Sequence, residues 1–204
     1  NNKAILAVRT KNLLIMDFLI RWIQPEDNGS IKNLVVKVLL EHGAQGEGFA
    51  SSDPELDCMF ETYQNAGARY WVIEKNNEIL GVGGIGPLKG ESKEYCELQK
   101  MYFLKELRGN GLGKKLMTLC LEFAINYGYS YCYLETLPNM KTAQNMYKNY
   151  NFRDLENRMG ITGHSSCPVF MLLDLTNKKL NIRILNKRIF NRTNFRGSPI
   201  GQSG

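Results

Sequence analysis

Apolar positions along the 204-residue chain follow two periods, alternation in some stretches and three-to-four spacing in others, and their order suggests an architecture. Residues 18–23 alternate as a short strand closed by Pro25-Glu26-Asp27. Ser30 is placed to cap a helix running to His42, with Ile31, Leu34, Val35, Val38 and Leu39 along one face. A glycine-bearing loop at 43–52 leads to a second predicted helix at 53–64, capped by Asp53 with Pro54 at its first position. Strands at 68–75 and 78–85 meet at Asn76-Asn77, a hairpin turn. After a polar loop at 89–93, an alternating strand at 96–104 runs into Arg108-Gly109-Asn110-Gly111-Leu112-Gly113. Leu112, Leu116, Leu119, Cys120 and Phe123 follow at helical spacing, and Gly128 ends that helix at Tyr127. A strand at 129–137, a helix at 141–149 and strands at 152–155 and 168–175 complete the pattern, the last two around a loop holding His164. This order predicts an α/β fold, a mixed, mostly antiparallel central sheet with helices on both faces.

The net charge of +6 changes little, because seven basic residues and no acidic ones lie after Thr176. The rest of the chain is close to neutral, which argues against nucleic acid or an anionic membrane as its partner. Domain organisation reads as a body at 16–176, an extension at 1–15 that is either a leader or foreign to the native chain, with Met16 as a candidate native start, and a basic extension at 177–204, appended or loosely ordered. Five cysteines, odd in number and never spaced as C-x-x-C, speak against a disulfide framework or a metal site and suit the cytoplasm. No apolar run is long enough to span a membrane. Gly81-Val82-Gly83-Gly84-Ile85-Gly86 fits the dinucleotide fingerprint, yet Pro87, Lys89 and Gly90 follow where a helix is required, so a glycine-rich strand packed close to its neighbours is the expectation.

The turn at 108–113 carries more chemistry. Glycines opening a helix leave main-chain N–H groups unpaired, let a bulky anion approach, and add the positive end of the helix dipole. A phosphate or diphosphate is the natural guest.

These residues resemble the GNAT superfamily of acyl-CoA N-acyltransferases. Its R/Q-x-x-G-x-G/A pattern is met by Arg108, Gly111 and Gly113; its later signature is met by Ala143, Tyr147 and Asn151-Phe152, with Asn151 in place of glycine. Ile20-Arg21 to Pro25-Glu26-Asp27 looks like the family's first strand, and the likeness covers roughly 18–175. One departure is Met140, where relatives often carry Asn; Asn139 stands one position earlier.

The resemblance implies an N-acetyltransferase that takes acetyl-CoA as co-substrate, needs no metal, and passes the acetyl group to an amine-bearing acceptor. It assigns Met101, Tyr102, Phe103, Arg108, Gly109, Asn110, Gly111, Leu112, Gly113 and Lys114 to the acetyl-CoA site, with an N–H such as that of Met101 polarising the thioester carbonyl. Glu97 is the expected base, placed by strand alternation on the same face as Met101 and Phe103. Tyr147 resembles the family's acid for the departing thiolate, with Glu135 and His164 as further candidates. Tyr63, Tyr70, Trp71, Trp22 and the 43–52 loop come from segments that shape the acceptor cleft in relatives. The sequence leaves open the acceptor, the choice between monomer and homodimer, and a rival function as a non-catalytic acyl-CoA-binding module.

Overall fold

The computed structural model describes residues 13–15 and 17–176; the basic tail and the Met16 start lie outside the described residues. Leu13–Ile15 (β1) pairs antiparallel with Phe18–Trp22 (β2), so the sheet reaches into the segment read as a leading extension. Arg21 on β2 reaches Asp27 through both terminal guanidinium nitrogens, at 2.7 and 2.9 Å. Asp27 also accepts from the Gln24 N–H, and this knot starts the helix Asn28–Glu41 (α1) two residues before the expected Ser30 cap. The α1 face is the expected one: Ile31, Leu34, Val35, Val38 and Leu39 are all buried.

The second helix departs from expectation. Residues 53–64 form a 3-10 turn at Pro54–Asp57, a break at Cys58 (φ −139°) and a single turn, Met59–Thr62 (α2). The acids of this stretch are drawn to distant cations, Asp53 and Glu55 to Lys100 and Asp57 to Lys32, and these tertiary pairs override local helical preference.

Arg69–Lys75 (β3) and Glu78–Pro87 (β4) form the expected hairpin, with Asn76 and Asn77 at φ +52° and +64°. Tyr95–Phe103 (β5) leads through the glycine turn to Leu112–Tyr127 (α3). Tyr131–Thr136 (β6), Lys141–Asn149 (α4), Arg153–Leu155 (β7) and Val169–Asp174 (β8) follow. The strands make one sheet in the order β1-β2-β3-β4-β5-β6-β8-β7, antiparallel throughout except where β5 meets β6. Helices cover both faces. Trp71 packs edge-on against Phe123 of α3, while its neighbour Tyr70 turns to the other face and meets Tyr63 just beyond α2. α1 shares that second face through Lys32–Asp57, and α4 lies beside α3, where the Tyr150 hydroxyl meets Thr118.

The glycine run of β4 has the close-packing role expected of it. A side chain at Gly81 would stand 2.6 Å from the Phe103 ring, and one at Gly84 would stand 2.5 Å from the Arg69 carbonyl oxygen.

Candidate active site

β5 and β6 are joined by only three parallel rungs, Tyr95 to Tyr131, Cys96 to Cys132 and Glu97 to Tyr133. Beyond Glu97 the two strands diverge into a V. On the other side of β5 the ladder with β4 carries an irregularity: between the pairs Val82–Tyr102 and Gly84–Gln99, the single residue Gly83 of β4 opposes two of β5, Lys100 and Met101. Lys100, at φ +46°, sits in this bulge.

The extra residue reverses which main-chain groups face which way. The Tyr95 carbonyl accepts from Leu88 of the β4 side, and the Leu104 N–H donates to Leu80, also on that side. Without the bulge, residues 97, 99, 101 and 103 would all point their main-chain groups at β4. With it, Tyr102 and Leu104 take that direction, and Met101 and Phe103 turn theirs into the V. The Phe103 carbonyl is there met by the Arg108 guanidinium at 2.9 Å.

Side chains reverse with the backbone, which corrects the expectation that Glu97 shares a face with Met101 and Phe103. Met101 and Phe103 lie on the α3 face, beside Gly83 and Gly113. Glu97, Gln99 and Tyr102 occupy the other face. A period-2 reading fails wherever an extra residue enters the strand.

On the α3 side a cavity of about 590 Å³ runs from Met101, Tyr102 and Phe103 past the glycine turn to α4. Arg108, Gly109, Gly111, Gly113 and Lys114 line it, as do Ala143 and Tyr147. Gly109 and Gly111 have φ of +85° and +74°, and nothing lies within 4 Å of where their side chains would stand. Gly111 is the residue before α3, and no side chain caps the helix there. Leu112 is buried in the core at the start of the helix, and the Asn110 amide turns back to the Glu106 carbonyl. The Arg108 guanidinium is committed to Glu41 at 2.8 Å as well as to Phe103, so the turn, not this side chain, offers the open anion site. Tyr147 is buried on α4 against Phe152, and burial pushes its phenol well above its ordinary pKa. Asn139 donates to the His42 carbonyl at 2.9 Å and closes one end of the cavity. Asn151, just past the end of α4, adopts φ +65°.

The opposite face holds a polar cluster. Glu97 is buried and accepts a hydrogen bond from Gln99 at 2.8 Å, and Gln99 in turn accepts one from the Tyr63 hydroxyl at 2.7 Å. Burial raises the Glu97 carboxyl above its ordinary 4.5, only partly offset by Gln99, His164 and Lys100. His164 bonds through Nε2 to Asp53 Oδ2 at 2.9 Å, and the same oxygen meets Lys100 Nζ at 2.8 Å. Burial lowers the His164 pKa, but the Asp53 carboxylate more than reverses this. Glu135 anchors the 156–168 segment: its Oε1 accepts from Tyr133, Thr162 and Arg158 at 2.8, 2.9 and 3.1 Å. Its Oε2 is buried with no hydrogen-bond partner among the described residues.

The expected acceptor aromatics are largely internal. Tyr63, Tyr70 and Trp71 are buried, and Trp22 lies beneath the Arg69 guanidinium at 3.9 Å. The 43–52 loop meets the 156–168 segment through Ser166 N–H to the Gly48 carbonyl. Sequence reasoning missed Lys100, Asp53, Glu55 and Gln99. The signal was a lysine directly after Gln99, out of step with the polar positions 97 and 99 of its strand, with two acids spaced two apart far upstream.

The acetyltransferase (GNAT) family model matches residues 37–152. An Escherichia coli (strain K12) protein named uncharacterized N-acetyltransferase YjgM is 40% identical over 158 residues, 77% of this chain and 95% of that protein. Among solved structures, a GNAT-family acetyltransferase from Staphylococcus aureus Mu50 superposes with a TM-score of 0.70 at 20% identity, over 78% of this chain and 99% of that one. An acetyltransferase from Salmonella typhimurium, solved with its cofactor acetyl-CoA, superposes with a TM-score of 0.63 at 19% identity, over 79% and 95%.

Proposed function

The chain belongs to the acetyltransferase (GNAT) family, and from that premise we propose that it passes an acetyl group from acetyl-CoA to a primary amine by direct attack in a ternary complex. The observation that carries this reading is the V between β5 and β6, which opens onto a helix start whose two left-handed glycines leave room for a diphosphate.

In this reading the main-chain amides at 109–114 hold the diphosphate, and the pantetheine arm adds the rungs missing between the strands. The Met101 N–H donates to the thioester oxygen and stabilises the charge that gathers there during attack. The amine arrives from the opposite face, where Glu97 takes its proton. A buried carboxyl with a raised pKa suits that task, because it holds the proton better than an exposed one. The amine nitrogen bonds to the carbonyl carbon as the carbon–sulfur bond breaks, and Tyr147 returns a proton to the departing sulfur. Its phenol keeps that proton at neutral pH. Holding donor and amine together removes the need for a covalent enzyme intermediate.

Calorimetry with acetyl-CoA, followed by thiol release across a panel of amines, tests the proposal. Saturable binding with amine-dependent thiol release is the expected result. Binding without release from any amine would favour the non-catalytic module, and no binding by the folded protein would overturn the donor assignment.

A further inference from the structure

The bulge in β5 has no local cause. A lysine at positive φ is uncommon, and a lysine side chain only 2% exposed is rarer still. The two oddities share one explanation in the contacts of Lys100. Its Nζ meets Asp53 Oδ2 at 2.8 Å and Glu55 Oε1, and its carbonyl accepts from the Tyr70 hydroxyl at 2.8 Å. Tyr70 therefore satisfies a carbonyl at the bulge while the carboxylates hold the side chain. Glu55 lies in the short 3-10 segment that breaks the expected second helix and Asp53 immediately precedes it, tied on its other side to His164.

We infer that Lys100, gripped by Asp53 and Glu55, is a positioning residue whose clamp holds the bulge that turns the Met101 N–H into the V. The clamp touches neither donor nor amine. It sets a main-chain direction. If the bulge relaxed into regular pairing, residue 101 would direct its N–H to β4, and the N–H groups entering the V would be those of its neighbours, displaced along the strand. This inference rests on the proposed role of the Met101 N–H and adds the residues that enforce it.

The test compares wild type, Lys100→Met, Lys100→Arg and Glu55→Gln. Two readouts distinguish positioning from scaffolding. One is the carbonyl stretch of bound acetyl-CoA labelled with carbon-13 at the acetyl carbonyl, measured by difference infrared without any acceptor. The other is kcat set against affinity for CoA, which lacks the carbonyl. The expected result for Lys100→Met is a carbonyl band moved toward its position in free acetyl-CoA and a kcat lower by about 10–100-fold, with CoA affinity unchanged. Lys100→Arg, which keeps the charge, should recover part of both signals. Should Lys100→Met fail to fold, Glu55→Gln removes half the clamp from a partly exposed position and should move the band in the same direction by less.

A folded Lys100→Met with wild-type band and kcat would overturn the inference. So would a parallel loss of CoA affinity, which marks a scaffold residue. In a Glu55→Gln series standing alone, an unmoved band overturns it equally. Failure of the underlying functional reading is seen separately, in wild type: no acetyl-CoA binding removes both, whereas binding without turnover leaves the infrared comparison decisive.

Discussion

Gly111→Ala separates the two demands the glycine turn places on one residue. Nothing lies within 4 Å of the position its methyl would take, so the chain itself presents no clash. The cost comes from the backbone: at φ +74° an L-residue pays roughly 1–2 kcal/mol relative to glycine. For a domain of this size that corresponds to a fall in Tm of about 2–8 °C. Gly128 is the matched control, at φ +114° and with equally open surroundings, but at the far end of α3. Gly128→Ala should lose comparable stability. Only Gly111→Ala places a methyl where the diphosphate would approach the main chain. Loss of a charge-assisted contact there is worth about 1.5–3 kcal/mol, or roughly 10–100-fold in acetyl-CoA affinity. Differential scanning calorimetry and titration calorimetry on the two variants measure both quantities. Equal acetyl-CoA affinities in the pair would refute the anion site, and an unchanged Tm in both would refute the left-handed backbone.

Glu97→Gln should lower kcat by about 10²–10⁴-fold with little change in acetyl-CoA affinity. In wild type, kcat/KM should fall as pH drops through a value above the ordinary 4.5, because burial keeps the proton on Glu97 longer; a limb at or below 4.5 would exclude this carboxyl as the base. Burial alone would raise Asp53, but His164 and Lys100 outweigh it and hold the carboxyl at about 2 against an ordinary 3.8. A depressed carboxylate pKa gives stability that is full above 3.8 and is lost as pH falls toward 2, here about 2 kcal/mol. Asp53→Asn should therefore be less stable than wild type near neutrality in urea unfolding, with the gap narrowing in acid; a gap independent of pH would contradict the ion pair. Gly84→Ala, whose methyl meets the Arg69 carbonyl at 2.5 Å, should destabilise by about 1–3 kcal/mol, while Gly29→Ala within α1, with open surroundings, should stabilise by about 0.5–1 kcal/mol. Thermal melts of the pair check both signs.

The parts of the fold that depend on neighbours in sequence were legible from sequence. Asn76-Asn77 demands a tight reversal, Gly111 and Gly128 bracket a helix, and the apolar face of α1 repeats at helical spacing. The glycines of β4 read correctly because no helix could follow them. What escaped depends on partners remote in the chain. The register shift at Lys100 requires carboxylates 45 or more residues upstream, and the same carboxylates unmake the helix expected at 53–64. Alternation therefore carried Glu97 to the wrong face relative to Met101. The Ser30 cap lost to Asp27 for a similar reason, since Arg21 on β2 fixes that carboxylate. At the site, the glycine turn was recognisable from its residues alone. The pairing of His164 with Asp53 and the triple bonding of Glu135 arise only when the 156–168 segment folds back over the sheet.

Three rungs are a slender seam for a sheet of eight strands. To one side lies a five-strand meander, to the other an antiparallel trio in the order β6-β8-β7, and parallel pairing is the weaker kind. Across the join, the Tyr150 hydroxyl at the end of α4 is bonded to Thr118 and to the Lys114 carbonyl of α3. A guest seated in the V would act as a splint across that seam, so amide exchange at 95–97 and 131–133 should slow on donor binding by more than exchange in β2 or β3, far from the join.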